Sequence, residues 1–229
     1  MSTNTDLQLY SYYRSSAAYR VRIALEIKQL SYKILPINLL TSEHRQPKYL
    51  QTNLQGLVPT MSTAEGTLTQ SLAIIEYLEE RYPQPSLMPK TPMERAQVRS
   101  IAHQVAMDIH PLNNPRVTQF LEVTIGLTEE QRLHWYHHWI AQGFGALEHK
   151  LKALNSNGQY CIGEMVTMAD ICLIPQVYNA LRFDCPIQDY PLIGAIYSHC
   201  TGLADFITAS PQSQPDCPIK NPSKSGSKT

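Results

Sequence analysis

Between Tyr82 and Pro92 the chain reads YPQPSLMPKTP, four prolines in eleven residues. Each proline fixes φ at about −65° and lacks an N–H, so neither an unbroken helix nor a central strand passes through this stretch. The two sides differ in kind. Before it, apolar residues recur alternately with the periods of strand and helix; after it, the strand signals all but vanish. The break predicts an α/β unit over 1–82, a linker over 83–91 and an all-α unit over 92–218. With 229 residues the chain can supply two small cores. The last stretch, 219–229, is rich in proline, serine and lysine without a period, and is expected to be disordered.

In the first part, LQLYSYY (Leu7–Tyr13) reads as a strand. SSAAYRVRIALEIK reads as a helix with Val21, Ala24, Leu25 and Lys28 on one face. SYKILPINL (Ser31–Leu39) is a second strand, interrupted at Pro36. VPTMSTAEGTLTQS (Val58–Ser71) gives two short strands around the Glu65-Gly66 turn, and SLAIIEYLEERYP a helix that stops before Pro83. In the second part, PMERAQVRSIAHQVAMDIH and LTEEQRLHWYHHWIAQGFGALEHKLKAL read as long amphipathic helices. VTMADICLIPQVYNALRF is a more apolar, central one.

Composition excludes several classes. Nineteen basic residues balance nineteen acidic ones, and no basic stripe of the kind a nucleic-acid binder needs is visible. No apolar run is long enough to span a bilayer, and MSTNTDLQLY lacks the pattern of a secretory signal. The cysteines are Cys161, Cys172, Cys185, Cys200 and Cys217, an odd number without a C-x-x-C pair. That suits free thiols in a reducing cytoplasm.

The motifs that can carry chemistry each have a plain structural reading as well. Of Ser15 and Ser16, one is expected to cap the first helix. The other hydroxyl then faces solvent beside a helix N-terminus that favours an anion such as a thiolate. Sequence alone does not say which does which. Gln70-Ser71 opens another helix, with Ser71 read as its N-cap, a place that also suits a carboxylate. Val58-Pro59 enters a strand directly after NLQGL. Frequency favours a trans bond; the strand entry favours cis, which turns the Val58 N–H and C=O outward to pair with an extended peptide. Thr167-Met-Ala-Asp170 is a capping box with Asp at the third position. His134, His137 and His138 in HWYHHW have no carboxylate or cysteine completing a ligand set, so no metal is expected. His110, in IHPLNNPR, reads as a loop-edge histidine. Arg14, Arg116 and Arg182 read as solvated cations, although Arg182 ends an apolar helix where a cation complements the C-terminus.

SSAAYRVRIALEIK, QGLVPT, QSLAIIEYLEE, DIHPLNN and TMADICLIPQVYNA, in this order and over nearly the whole chain, resemble the zeta class of cytosolic glutathione transferases. The signature of that class opens S-S-C-x-W-R-V-R-I-A-L. The resemblance implies an α/β thioredoxin-like N-terminal domain followed by an all-α domain, glutathione as cofactor and a cytoplasmic homodimer. The activity it implies is that of maleylacetoacetate isomerase, a late step in tyrosine and phenylalanine breakdown, with transferase side activity. In that chemistry glutathione thiolate adds to a conjugated cis double bond, the bond rotates, and the thiolate leaves.

Carried over by position, Ser15 is the hydroxyl near the glutathione sulfur, with Ser16 and Arg20 in the same segment. Val58 pairs with the cysteinyl part beside a cis Pro59, and Gln70 and Ser71 hold the γ-glutamyl end. His110 and Asn114 line the opposite wall. Arg182 faces the substrate carboxylate, with Arg14 and Arg116 as weaker candidates. The chain departs from the signature at Ala17, for cysteine, and Tyr19, for tryptophan. It also has SEHRQ where the family often has a glutamine, and His44 is the match there. Three alternatives share this logic or part of it: a maleylpyruvate isomerase, a general transferase or α-haloacid dehalogenase, and a non-catalytic glutathione-fold binding protein.

Overall fold

A computed structural model describes residues 7–218; the tail expected to be disordered lies outside them. The chain divides into two compact units. One comprises the described residues up to Ser86 together with those from Leu203 onward, and the other is Leu87–Gly202.

The first unit is built on a four-stranded sheet: β1 (Leu7–Ser11), β2 (Tyr32–Pro36), β3 (Thr60–Thr63) and β4 (Gly66–Thr69), in the order β2-β1-β3-β4. β1 runs parallel to β2, with Leu9 opposite Ile34, and antiparallel to β3, with Leu9 opposite Met61. A parallel pair needs a crossover. Helix α1 (Ser16–Ile27) supplies it, and a short α2 (Pro47–Leu50) and α3 (Ser71–Arg81) follow. Val21, Ala24 and Leu25 are fully buried, as the one-face reading of α1 requires, and so are Ile23, Arg20 and Arg22 on its other sides. Lys28, the one polar residue of the expected face, is buried too. Its Nζ pairs with Glu79 at 2.9 Å and donates to the Tyr82 and Pro85 carbonyls at 2.6 and 3.0 Å.

The second unit is helical: α4 (Pro92–His103), α5 (Pro115–Val123), α6 (Glu129–Ala153), α7 (Met168–Leu181) and α8 (Pro191–Thr201). The single helix expected through DIH does not stay α-helical. It widens into a π-helical stretch over Gln104–Ile109 and tightens into a 3-10 turn over His110–Asn113. Ile109 lies so close to Gly143 of α6 that any Cβ at Gly143 would collide with it. α6 opens on a complete capping box: Thr128 Oγ1 accepts the Gln131 N–H, and Gln131 Oε1 accepts the Thr128 N–H. α7 is buried along almost its whole length, the central helix of its unit. At its start the Asp170 carboxylate accepts from the Thr167 N–H (2.8 Å), the Thr167 hydroxyl (2.9 Å) and the Cys161 N–H (2.7 Å). Burial pushes the Asp170 pKa up, against the pull of those hydrogen bonds.

Beyond α8 the chain leaves the helical unit. The sequence reading gave that unit everything from 92 to 218, but α9 (Ala204–Ala209) and the residues after it return to the first unit. The cause is the all-round burial of α1. α9 covers a side of α1 that the sheet does not, taking the Arg22 Nε–H on the Ala209 carbonyl (2.9 Å) and the Tyr19 hydroxyl on the Phe206 carbonyl (3.3 Å). All five cysteines are buried and free. No helix among the described residues is long and apolar enough to cross a membrane.

Candidate active site

Three loops of the first unit present the residues that the sequence singles out there. At the first, Ser15 is the N-cap of α1: it has extended backbone and its Oγ accepts the Ala18 N–H at 3.2 Å. Ser16 is the first helical residue and is buried. Ser15 is therefore the hydroxyl at the helix tip, half-buried, and it is the cap as well; Ser16 is neither. A hydroxyl accepts and donates at once, so capping leaves the Ser15 proton for another acceptor. The first turn of α1 carries no acidic residue, so no side chain of the helix itself offsets the positive end of its dipole. Arg14, just before, donates from Nη2 to the Tyr12 hydroxyl at 3.1 Å and lies over the Tyr13 ring at 5.2 Å.

At the second loop, the Val58–Pro59 peptide is cis, as its place at a strand entry suggests. β3 begins only at Thr60, so Val58 lies outside the ladder. The loop before it is pinned from below. The Tyr49 hydroxyl donates to the Leu57 carbonyl at 2.6 Å, and Asn53 Nδ2 donates to the same carbonyl (2.9 Å) and to Thr60 Oγ1 (3.0 Å). Gly56 holds a positive φ of 59°, and a Cβ there would press on the His44 carbonyl. His44 is half-buried in the turn Glu43–Arg45. Burial, then the neighbouring Arg45 charge, lowers its pKa below the ordinary 6.5, so its ring is neutral at neutral pH.

At the third loop the expected cap is displaced by one residue. Gln70 is the N-cap of α3, with φ 69°, and Ser71 is the first helical residue. The Gln70 side chain donates to Gln55 Oε1 at 3.2 Å instead of capping. Ser71 Oγ accepts from Arg20 Nη1 at 3.3 Å, which ties the start of α3 to the buried Arg20 of α1. A left-handed backbone at a residue other than glycine is uncommon and concentrates at functional sites.

Sequence reasoning missed Gln55, Asn53 and Tyr49, although the first two stand in NLQGL. The readable sign was Asn53, whose Oδ1 accepts the Gln55 N–H at 3.0 Å in an Asx turn.

In the second unit, His110 and Asn114 come together at the start of α5. Asn114 caps the helix, Oδ1 accepting the Arg116 N–H at 3.1 Å, which leaves its Nδ2 facing His110 Nε2 at 3.3 Å. An amide nitrogen only donates, so this contact is a hydrogen bond when Nε2 is the unprotonated ring nitrogen of His110. Arg116 is exposed. Arg182, also exposed, ends α7; its Nη1 donates to Asn179 Oδ1 at 2.9 Å and its guanidinium lies over the Phe183 ring. Among the described residues no three His, Cys, Asp or Glu side chains gather as a metal site. His137 Nε2 instead contacts the Phe183 carbonyl at 2.6 Å.

The first unit thus offers a hydroxyl at one helix N-terminus, a main-chain segment outside the ladder, and a second helix N-terminus braced by a buried guanidinium. That donor set fits a short extended peptide that carries a thiolate and a carboxylate.

Known proteins are similar to this chain in sequence and fold. The family model for the glutathione S-transferase N-terminal domain matches residues 5–80. The probable maleylacetoacetate isomerase of Vibrio cholerae is 46% identical over 212 residues, covering 92% of this chain and 98% of that one. The holo structure of a maleylpyruvate isomerase, described as a bacterial glutathione S-transferase of the zeta class, superposes with a TM-score of 0.89 at 41% identity, over 91% of this chain and 99% of that one. The maleylacetoacetate isomerase of Methylobacterium extorquens AM1, solved with bound malonate and GSH, gives 0.88 at 37% identity, over 92% and 99%.

Proposed function

The chain belongs to the zeta-class glutathione transferases, and from that premise we propose that it is a glutathione-dependent cis–trans isomerase acting on maleylacetoacetate, in tyrosine and phenylalanine breakdown. The observation that carries the reading is Ser15. It sets a hydroxyl at the tip of α1, while the position where the class signature has cysteine is Ala17. A site of this kind holds a sulfur brought by another molecule.

When bound, glutathione supplies a thiolate that adds reversibly to the double bond and so lets it rotate. Every other task falls to the chain. Ser15 donates to the sulfur, and the N-terminus of α1 stabilises its charge. Val58 pairs its backbone with the cysteinyl part. Gln70 and Ser71 hold the γ-glutamyl carboxylate, with Arg20 behind Ser71, and the neutral His44 donates or accepts at the other end. Arg182, Arg14 and Arg116 are the cations for the substrate carboxylates, held through bidentate pairing. His110 and Asn114 are the second unit's candidate ligands for glutathione.

A second reading, maleylpyruvate as substrate, is favoured by the zeta-class maleylpyruvate isomerase that superposes at 0.89. An absorbance assay of both substrates side by side, with and without glutathione, decides between them. Faster glutathione-dependent turnover of maleylpyruvate overturns the choice of maleylacetoacetate. A thiol titration and a halide assay after turnover test the mechanism: an isomerase leaves glutathione undiminished and releases no halide, a conjugating enzyme consumes glutathione, and a dehalogenating one releases halide. Calorimetry that shows glutathione binding without any turnover would identify a non-catalytic binding protein.

We further propose a homodimer in the cytoplasm. The exposed Met93 and Met107, on α4 and the π-helical stretch, support an apolar contact face, and five buried free thiols suit a reducing compartment. Sedimentation at micromolar concentration tests the assembly, and a monomer refutes it.

A further inference from the structure

Ser15 sits at the end of a turn that the chain holds with unusual force. The Ser15 N–H donates to the Tyr12 carbonyl at 2.9 Å and closes the turn. Below it, the buried Arg22 spreads its guanidinium over four acceptors. Nη2 donates to the Tyr13 carbonyl (3.0 Å), Nη1 to Ser11 Oγ (3.0 Å) and more weakly to the Tyr12 carbonyl (3.5 Å), and Nε to the Ala209 carbonyl (2.9 Å). From the other side the Asp216 carboxylate accepts the Tyr13 N–H at 2.9 Å. Tyr13 is thus gripped at both ends, its carbonyl by a cation and its N–H by an anion. Asp216 and Ala209 both belong to the segment that returns after α8.

We propose that Asp216 and Arg22 are positioning residues for Ser15, so that the returning C-terminal segment is a working part of the sulfur site and not only a cover for α1. The inference rests on the reading of Ser15 as the donor to the glutathione sulfur. Hydrogen bonds to charged groups are stronger than neutral ones, and a donor displaced by a fraction of an ångström loses much of its worth to a developing charge. The fork of Arg22 and the carboxylate of Asp216 act on the same residue, two positions before Ser15.

Asp216 is the residue to change, because it is half-buried at the surface while Arg22 is in the core. Asp216→Ala removes the acceptor for the Tyr13 N–H; Asp216→Asn keeps one. Three measurements are compared across wild type, both variants and Ser15→Ala: exchange rates of the Tyr13 and Ser15 amides without ligand, ultraviolet thiolate absorbance of the glutathione complex against pH, and turnover. Asp216→Ala should speed exchange at both amides, move the thiolate titration to higher pH and cut turnover about tenfold. Asp216→Asn, which keeps an acceptor without the charge, should fall between wild type and Asp216→Ala in all three. Combined with Ser15→Ala, Asp216→Ala should add no further shift of the titration. If Asp216→Ala lowers only the melting temperature and leaves the titration where it was, while Ser15→Ala moves it, the segment is a structural tie and the inference is overturned. If Ser15→Ala itself leaves the titration in place, the reading of the sulfur site fails, and the inference fails with it.

Discussion

Ser15 caps α1 and is the proposed donor to the glutathione sulfur, two duties at one oxygen that substitution separates. Its Oγ accepts the Ala18 N–H at 3.2 Å, so Ser15→Ala loses an N-cap worth on the order of 1 kcal/mol. For a chain of this size that lowers the melting temperature by about 2–4 °C. The same change removes the proposed donor to the glutathione sulfur, and the loss of one donor aimed at a developing charge costs about 10²–10³-fold in turnover. Ser15→Gly tells the two apart. Glycine at an N-cap costs only a few tenths of a kcal/mol, and the extended backbone of Ser15 (φ −66°, ψ 115°) is open to it. Ser15→Gly should therefore melt close to wild type yet be as slow as Ser15→Ala. The assay is the glutathione-dependent absorbance change as a function of pH, paired with thermal unfolding of the same samples. The thiolate limb of the pH–rate profile should move upward in both variants, while glutathione affinity changes much less. Wild-type turnover in Ser15→Gly refutes the argument outright, since it would show that the α1 N-terminus alone holds the thiolate.

The other predictions follow from single contacts. Arg182→Lys keeps a charge but loses the planar fork; kcat/KM for the substrate should fall with stability unchanged, and unaltered kinetics remove Arg182 from the site. Asp170→Ala leaves two buried N–H groups and a hydroxyl without the carboxylate they share. Chemical denaturation should show a loss of at least about 3 kcal/mol, and a loss well under 1 kcal/mol would show that the capping box is dispensable. His44 has its folded pKa held below 6.5 by burial, so the unfolded chain binds its proton first on acidification. The stability that neutral His44 allows is present above pH 6.5, falls as the pH drops through that value, and levels off below the folded pKa. His44→Gln should flatten that part of the stability–pH curve, and an unchanged slope contradicts the assignment.

What sequence reveals and what it hides divides by range. The strands of the first unit, the turn at Glu65-Gly66, α1 and α3 announce themselves, because each is set by residues within a few positions of one another; the cis bond at Pro59 is only half-legible, since frequency favours trans and the strand entry favours cis. The serine pair is half-legible. That one serine caps α1 follows from residue type, but which one depends on where the Tyr12–Ser15 turn ends. The cap of α3 fails for a related reason. Serine is a good N-cap and Gln70 is a poor one, yet Gln70 holds that place with its side chain turned to Gln55 and its backbone in the left-handed region. That preference comes from a loop fifteen residues away, which no local rule contains. α5 and α8, which the periodicity did not single out, each begin with a proline at the first helical position, a usable signal.

The arginines of YRVRIAL show how far periodicity reaches. Positions 20 and 22 stand about 200° apart around a helix. A reading by faces puts them on different sides and assigns both to solvent, the default for arginine. Both are buried, Arg20 at 2% exposure and Arg22 at 0%, which requires α1 to be covered all round. The end of β1 meets Arg22 through Ser11 Oγ, and the turn after it through the Tyr12 and Tyr13 carbonyls, which leaves the Nε–H to be met from elsewhere. That N–H needs an acceptor as well, because a buried guanidinium donor without one is costly, and a segment from elsewhere in the chain brings it. The Ala209 carbonyl is such an acceptor, and Asp216 arrives on the same strand of chain to take the Tyr13 N–H. The burial of Arg22 is thus completed by the return of the C-terminal residues to the first unit, a feature that the proline-marked boundary alone could not deliver.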